Sequence, residues 1–173
     1  MNLWSTEKIQ LYIVNKMSTK SLHEKFGAAG LKGGKAEEWL FDKLEHVYDE
    51  VIDLREDWKA QIDGIDFGIK KDSWRNAYFL DCKGNLKGDY FYVEFQRGGD
   101  PTKFHNTPGW FWKSKSDRIY HVDLERGKAC WYSLPDMRRL LSQMNCCVGP
   151  LNDGCCRINA KEEIFKDIIQ WIW

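Results

Sequence analysis

Three short apolar runs in close succession constrain this chain most: QIDGIDFGIKK (61–71), NAYFLDCKGN (76–85) and DYFYVEFQ (89–96). Each has the length and side-to-side alternation of a β-strand. The connections KKDSWRN and GNLKGD carry turn residues. Strands joined by connections this short pair antiparallel, so the expectation is a meander. A helical pattern precedes it, from Lys35 to about Ile52, with Ala36, Trp39, Leu40, Leu44, Val47 and Val51 on one face. After the meander, RIYHVDL and KACWYSL read as two more strands joined at ERGK. Ser133 and Pro135 then open a helix that buries Met137, Leu140, Leu141 and Met144, with Ser133 and Asp136 spaced as in a capping box. The final EEIFKDIIQWIW places apolar residues at 164, 165, 168, 169 and 172, the spacing of an amphipathic helix. Two helices are expected before residue 27, and GAAGLKGGK reads as a glycine-rich turn without the spacing of a nucleotide loop.

These elements predict one α/β or α+β domain over residues 1–173, with a central mixed five-stranded sheet flanked by helices. Within it, 1–32 form a helical extension, 33–135 the core and 136–173 the C-terminal helices. The length of 173 residues suits a single domain. A content of 43% hydrophobic and 30% charged residues excludes a mostly disordered chain. Lys and Arg together number 26, as do Asp and Glu, which excludes a generally basic nucleic-acid coat. A nucleic-acid site must then be a local patch, organised by a few cations or by bound metal. No apolar run approaches the roughly 20 residues that span a bilayer, and MNLWSTEKIQ lacks a basic-then-apolar leader pattern. The expectation is a cytoplasmic chain with no membrane partner.

The chemistry concentrates on the first two strands. Asp63 and Asp66 lie in IDGIDF, and Asp81-Cys82-Lys83 follows fifteen residues after Asp66. Side chains alternate along a strand, so Asp81 and Lys83 share a face. If the two strands form a hairpin, Asp66 or Asp63 comes to lie beside Asp81. Paired carboxylates suit a hard divalent ion such as Mg²⁺ or Mn²⁺. Such an ion polarises a phosphodiester and activates water, and the neighbouring ammonium orients that water or balances charge on the phosphate. The bland reading of the same residues is a hairpin ion pair, which contributes about 0–1 kcal/mol.

An acidic residue, a hairpin-length gap and Asp-x-Lys together resemble the signature of the PD-(D/E)XK, or restriction-endonuclease-like, nucleases. GGKAEEWLFDKL resembles the Gly-x-x-x-Glu opening of Holliday-junction resolvases in that superfamily, with Gly33 and Glu37 at that spacing. FYVEFQ resembles its third core strand, with Glu94 on one face and Gln96 beyond. GWFWKSKSDRIYHVDL resembles the loop and fourth strand of phage-encoded and restriction-type members. The resemblance covers roughly residues 33 to 135. It implies a metal-dependent endodeoxyribonuclease in which Asp66 and Asp81, with Asp63 or Glu37 assisting, hold Mg²⁺ or Mn²⁺. Lys83 positions the attacking water, and cleavage leaves a 5′-phosphate and a 3′-hydroxyl. A junction resolvase would act as a homodimer, and a phage enzyme would work in the host cytoplasm. No proline precedes the first acid, so Asp63 and Asp66 both remain candidates; GID followed by an apolar strand favours Asp66.

Several further features have a functional and a structural reading. Arg97, Lys103, Lys113, Lys115 and Arg118, interleaved with His105, Trp110, Phe111 and Trp112, suit phosphate contact and base stacking. The same tryptophans equally suit packing under the sheet. Glu37 stands in a first helical turn, where the helix dipole alone favours a carboxylate. Asp63 fits a turn or cap beside Gly64, and Glu94 a cross-strand salt bridge. Lys70, Lys71 and Arg75 fit a solvated turn. The pairs Cys146-Cys147 and Cys155-Cys156 lack the Cys-x₂₋₄-Cys spacing of a structural zinc site. The four histidines have no metal or triad spacing, and His121 reads as a structural strand residue. Rival functions are a nicking or restriction-like nuclease on linear duplex, a metal-independent DNA-binding or interaction module, and a zinc-stabilised interaction protein.

Overall fold

In the computed structural model, residues 27–95, 108–143 and 155–173 are described, with side chains from residue 33 onward. The expected helices before residue 27 lie outside these residues, as do Gln96, Arg97, Lys103, His105, Met144, Cys146 and Cys147.

The strongest helical pattern becomes α1 (Gly27–Glu45). Ala36, Leu40 and Leu44, each four residues from the next, are fully buried on one stripe. The helix differs from expectation at both ends. It runs back through the glycine-rich stretch read as a turn, and it stops at Glu45 rather than near 52. His46, Val47 and Tyr48 bond back to the carbonyls of Lys43 and Leu44 and close the last turn. Val47 is then exposed, and Val51 enters an unexpected strand, β1 (Glu50–Asp53).

A short helix, α2 (Trp58–Ile62), follows, capped by Asp57, whose side chain accepts from the Ala60 N–H at 2.8 Å. It replaces the start of the first predicted strand. Asp63 is its C-cap, and Gly64 takes φ +66, a left-handed turn that a side chain resists. Then come β2 (Phe67–Lys70), β3 (Tyr78–Lys83), β4 (Tyr90–Glu94), α3 (Trp110–Lys113), β5 (Arg118–Asp123) and β6 (Lys128–Ser133). The chain continues as α4 (Leu134–Gln143), β7 (Cys155–Asn159), a 3₁₀ turn (Glu163–Phe165) and β8 (Gln170–Ile172). Ser133 Oγ accepts from the Asp136 N–H at 3.4 Å at the start of α4.

The main sheet has six strands in the order β1-β2-β3-β5-β6-β8. Neighbours are antiparallel except β3 and β5, which run parallel. The α+β class and the mixed sheet are as expected; the five-strand count is not. β2 and β3 form the expected hairpin. β4 does not extend it, because β5 occupies that edge of β3. Instead β4 pairs with β7 in a separate two-stranded sheet. There Phe91 and Val93 are fully buried while Tyr90 and Tyr92 face out, so β4 covers the main sheet as a second layer. The predicted C-terminal helix is also absent. Phe165 and Ile169 are buried, Ile164 is exposed, and residues 170–172 add an edge strand to β6.

The sheet divides the core. On one side α1 packs Ala36, Leu40 and Leu44 against Phe67, Leu80, Cys82, Tyr120 and Val122. On the other, Ile119, Cys130 and Tyr132 meet β4, α3 and α4 through Phe91, Phe111, Met137 and Leu141. Among the described residues no helix is long and apolar enough to cross a membrane.

Candidate active site

Hairpin register sets the central geometry. Phe67 stands opposite Leu80, and the Asp66 N–H donates to the Leu80 carbonyl at 2.7 Å. Asp66 therefore enters β2 level with Asp81 on β3. Its carboxylate is fixed from two sides: the Cys82 N–H donates to Oδ2 at 2.7 Å, and Gln61 Nε2 donates to Oδ1 at 3.0 Å. Gln61 Nε2 also reaches the Ile65 carbonyl at 3.0 Å, which ties α2 to the entrance of β2.

Asp81 is only 1% exposed. Its Oδ1 accepts from Lys83 Nζ at 2.6 Å. Its Oδ2 is buried with no hydrogen-bond partner among the described residues. Burial pushes the Asp81 carboxyl up to about 8, with Lys83 opposing and the nearby Asp66 carboxylate adding to the rise. Burial alone would lower the Lys83 ammonium, but Asp81 and Asp66 outweigh it and hold the group above its ordinary range.

Helix α1 brings Glu37 into the same field. Its carboxyl is pushed up to about 7, first by burial and then by Asp66, while Arg55 and Lys83 pull it down. Arg55 is held by Asp53 through Nε at 2.9 Å and Nη2 at 2.6 Å, over the rings of Phe41 and Phe67. On the outer side of Lys83, the Trp110 ring centroid lies 5.1 Å from Nζ.

Among the described residues no three His, Cys, Asp or Glu side chains converge into a ready-made cation cage. What is present is a carboxylate pair with a buried, unsatisfied oxygen and Glu37 close by. That donor set suits Mg²⁺, which keeps several waters and takes one or two carboxylates.

The other predicted residues have separate placements. Asp63 is nearly buried and forms an ion pair with Lys115 Nζ at 2.8 Å, while its carbonyl accepts from the Lys115 N–H at 2.7 Å. Asp63 thus takes the capping reading and anchors the segment after α3, and Lys115 pairs with it while its side chain stays 65% exposed. Arg118 is the first residue of β5. Its guanidinium lies 4.4 Å from the ring centroids of both Tyr78 and Trp131, inside an aromatic cluster on the α1 side of the sheet. Lys113 and Trp112 are exposed on α3. Glu94 ends β4 in the small sheet, not in a third core strand. Lys103 and Gln96 fall outside the described residues.

His121 is structural, as expected. It is fully buried, and Nδ1 faces the Asn85 Oδ1 acceptor at 2.6 Å, so Nδ1 donates. Nε2 then accepts from the Tyr132 hydroxyl at 3.2 Å. Burial, reinforced by Lys83, holds the ring well below its ordinary pKa and therefore neutral. The thiols of Cys82 and Cys130 are free and buried. Burial pushes Cys130 up to about 12, which makes it inert as a nucleophile.

Sequence reasoning missed Gln61 and Arg55 as parts of the site and gave Trp110 only a stacking or packing role. Gln61 had a usable signal, five residues before Asp66 and on the helix side of Gly64. Arg55 had none: it lies in the turn between β1 and α2, beyond the helix expected to end near Ile52.

No protein-family model, no curated protein and no solved structure matches this chain.

Proposed function

We propose that this chain is a divalent-metal-dependent endodeoxyribonuclease of the restriction-endonuclease-like type, with branched DNA as its preferred substrate. The observation that carries the reading is the buried Asp81 Oδ2, without a partner among the described residues, beside the fixed Asp66 carboxylate and with Lys83 Nζ 2.6 Å from the other oxygen. Two buried carboxylates this close are a poor choice for stability alone, since the Asp66 charge adds to the burial that disfavours ionisation of Asp81. A bound cation removes that conflict. The placement of Glu37 on a helix ahead of the hairpin, with Asp66 and Asp81 level across it, agrees with the sequence resemblance.

Asp66 and Asp81 would hold Mg²⁺ or Mn²⁺, with Glu37 joining directly or through water. When bound, the ion polarises the phosphodiester and lowers the pKa of the attacking water. The protein's own groups do the rest. Gln61 and the Cys82 N–H keep Asp66 from rotating. The Lys83 ammonium orients water and stabilises charge that develops on the phosphate. Exposed Lys113 and Trp112 contact the DNA backbone and an unstacked base. The neutral His121 behind Lys83 adds no charge that would displace it. Cleavage leaves a 5′-phosphate and a 3′-hydroxyl, and resolution of a junction requires two copies of the chain.

The test is a cleavage assay on matched linear, nicked and four-way-junction DNA, with Mg²⁺, Mn²⁺ or EDTA. The expected result is metal-dependent cleavage, fastest on the junction and lost in Lys83→Ala. Equal rates on linear duplex would replace the junction preference by a restriction-like or nicking activity. Absence of cleavage with either ion on every substrate would refute the nuclease reading.

A further inference from the structure

The geometry points to Trp110 as a positioning residue that holds the Lys83 ammonium in place when Asp81 is engaged by another cation. This inference rests on the nuclease reading and extends it to a residue outside the carboxylate–lysine pattern.

Lys83 Nζ has two partners here: Asp81 Oδ1 at 2.6 Å and the face of Trp110, 5.1 Å from its ring centroid. A lysine chain is flexible, and its ammonium can adopt many positions. While Asp81 serves Lys83 alone, the salt bridge fixes it. A divalent ion on Asp81 competes for the same carboxylate and repels the ammonium. The indole face is the partner that such competition leaves intact, because a ring quadrupole attracts the ammonium and offers no ligand to a hard metal ion.

Trp110 is itself held firmly. The Gly109 N–H donates to the Phe95 carbonyl at 2.8 Å, and α3 begins at that point. A Cβ on Gly109 would stand 2.2 Å from the Glu94 carbonyl oxygen, so only glycine allows this approach. From the other side, Arg138 Nε donates to the Phe111 carbonyl at 2.9 Å and Nη2 to the Ser114 carbonyl at 2.8 Å. Trp110 also packs against Phe111 and lies 6.2 Å from the His121 ring. The ring that faces Lys83 is thus built on a short helix pinned at both ends.

The experiment combines a spectroscopic and a kinetic readout on the full chain. In lysine-labelled protein, the Lys83 ε-methylene, assigned by its loss in Lys83→Ala, should resonate upfield because Nζ, one bond away, lies over the Trp110 ring. That shift should persist in saturating Mg²⁺, survive in Trp110→Phe and vanish in Trp110→Leu. In cleavage, Trp110→Leu should lose about tenfold in kcat with KM within about twofold of wild type, and Trp110→Phe should recover most of the loss. An unshifted Lys83 methylene in the folded wild type, or a wild-type kcat in Trp110→Leu, would overturn the inference. If the wild type cleaves no DNA, the nuclease reading fails, and the ring-current shift still decides whether Trp110 holds Lys83.

Discussion

Replacing Asp81 by Asn should make the protein more stable while removing its activity. The Asp81 carboxyl stands at about 8 instead of 3.8, so the folded state binds a proton that the unfolded chain releases. Its raised value means that stability is intact below pH 4 and is lost progressively as pH rises through about 8. At 1.36 kcal/mol per unit, a displacement of about four units amounts to about 6 kcal/mol. Asn removes that penalty and offers an N–H₂ toward Asp66. The value of about 8 already includes the attraction of Lys83, so loss of that charged partner is not a further cost. Asn keeps the stability of the protonated form at every pH, so the gain without divalent ions grows with pH towards that limit at pH 8. For a chain of this size each kcal/mol of that gain raises Tm by about 2–4 °C. Thermal unfolding in EDTA at pH 8 and pH 4 measures it, with the gain expected at pH 8 and absent at pH 4. A lower Tm for Asp81→Asn at pH 8, or an equal gain at both pH values, would refute the account of Asp81 as a buried charge in conflict with Asp66.

Three other outcomes follow from the same geometry. Glu37 and Asp81 stand at about 7 and about 8 and must shed protons to bind a cation, so Mn²⁺ affinity should rise steeply between pH 6 and pH 8.5, as calorimetry would read. Arg138→Leu leaves the Phe111 and Ser114 carbonyls without their donor and should destabilise the fold by about 2–3 kcal/mol, measured by urea unfolding. Gly109→Ala forces the backbone away from the Glu94 carbonyl and should lower both Tm and kcat, whereas Gly127→Ala, at a position with open space but φ +59, should lower Tm alone.

The site was more legible than the fold around it. Asp66, Asp81 and Lys83 follow from period-two alternation and one hairpin, both local properties of residues 61–85. The register Phe67 opposite Leu80 is what such a hairpin gives. β4 illustrates what local reading lacks. DYFYVEFQ has a clear strand pattern, but nothing within it selects YFLDCK or the distant CCRIN as partner. The parallel return of β5 to the edge of β3 decides the matter. The C-terminal segment failed for a related reason: its helical spacing is real, yet pairing of residues 170–172 with β6 outweighs intrinsic propensity. Arg118 and Lys115 looked like free cations because charge shows in a sequence and its partners do not. Their aromatic and acidic neighbours come from Tyr78, Trp131 and Asp63, all remote along the chain from at least one of them.

The central claim is that Asp66 and Asp81 share a divalent cation, and Mn²⁺ calorimetry at pH 8 tests it most directly. The account predicts saturable binding by the wild type, lost in Asp66→Asn and in Asp81→Asn although both variants remain folded. No Mn²⁺ binding by the wild type, or unchanged binding in both variants, would contradict it.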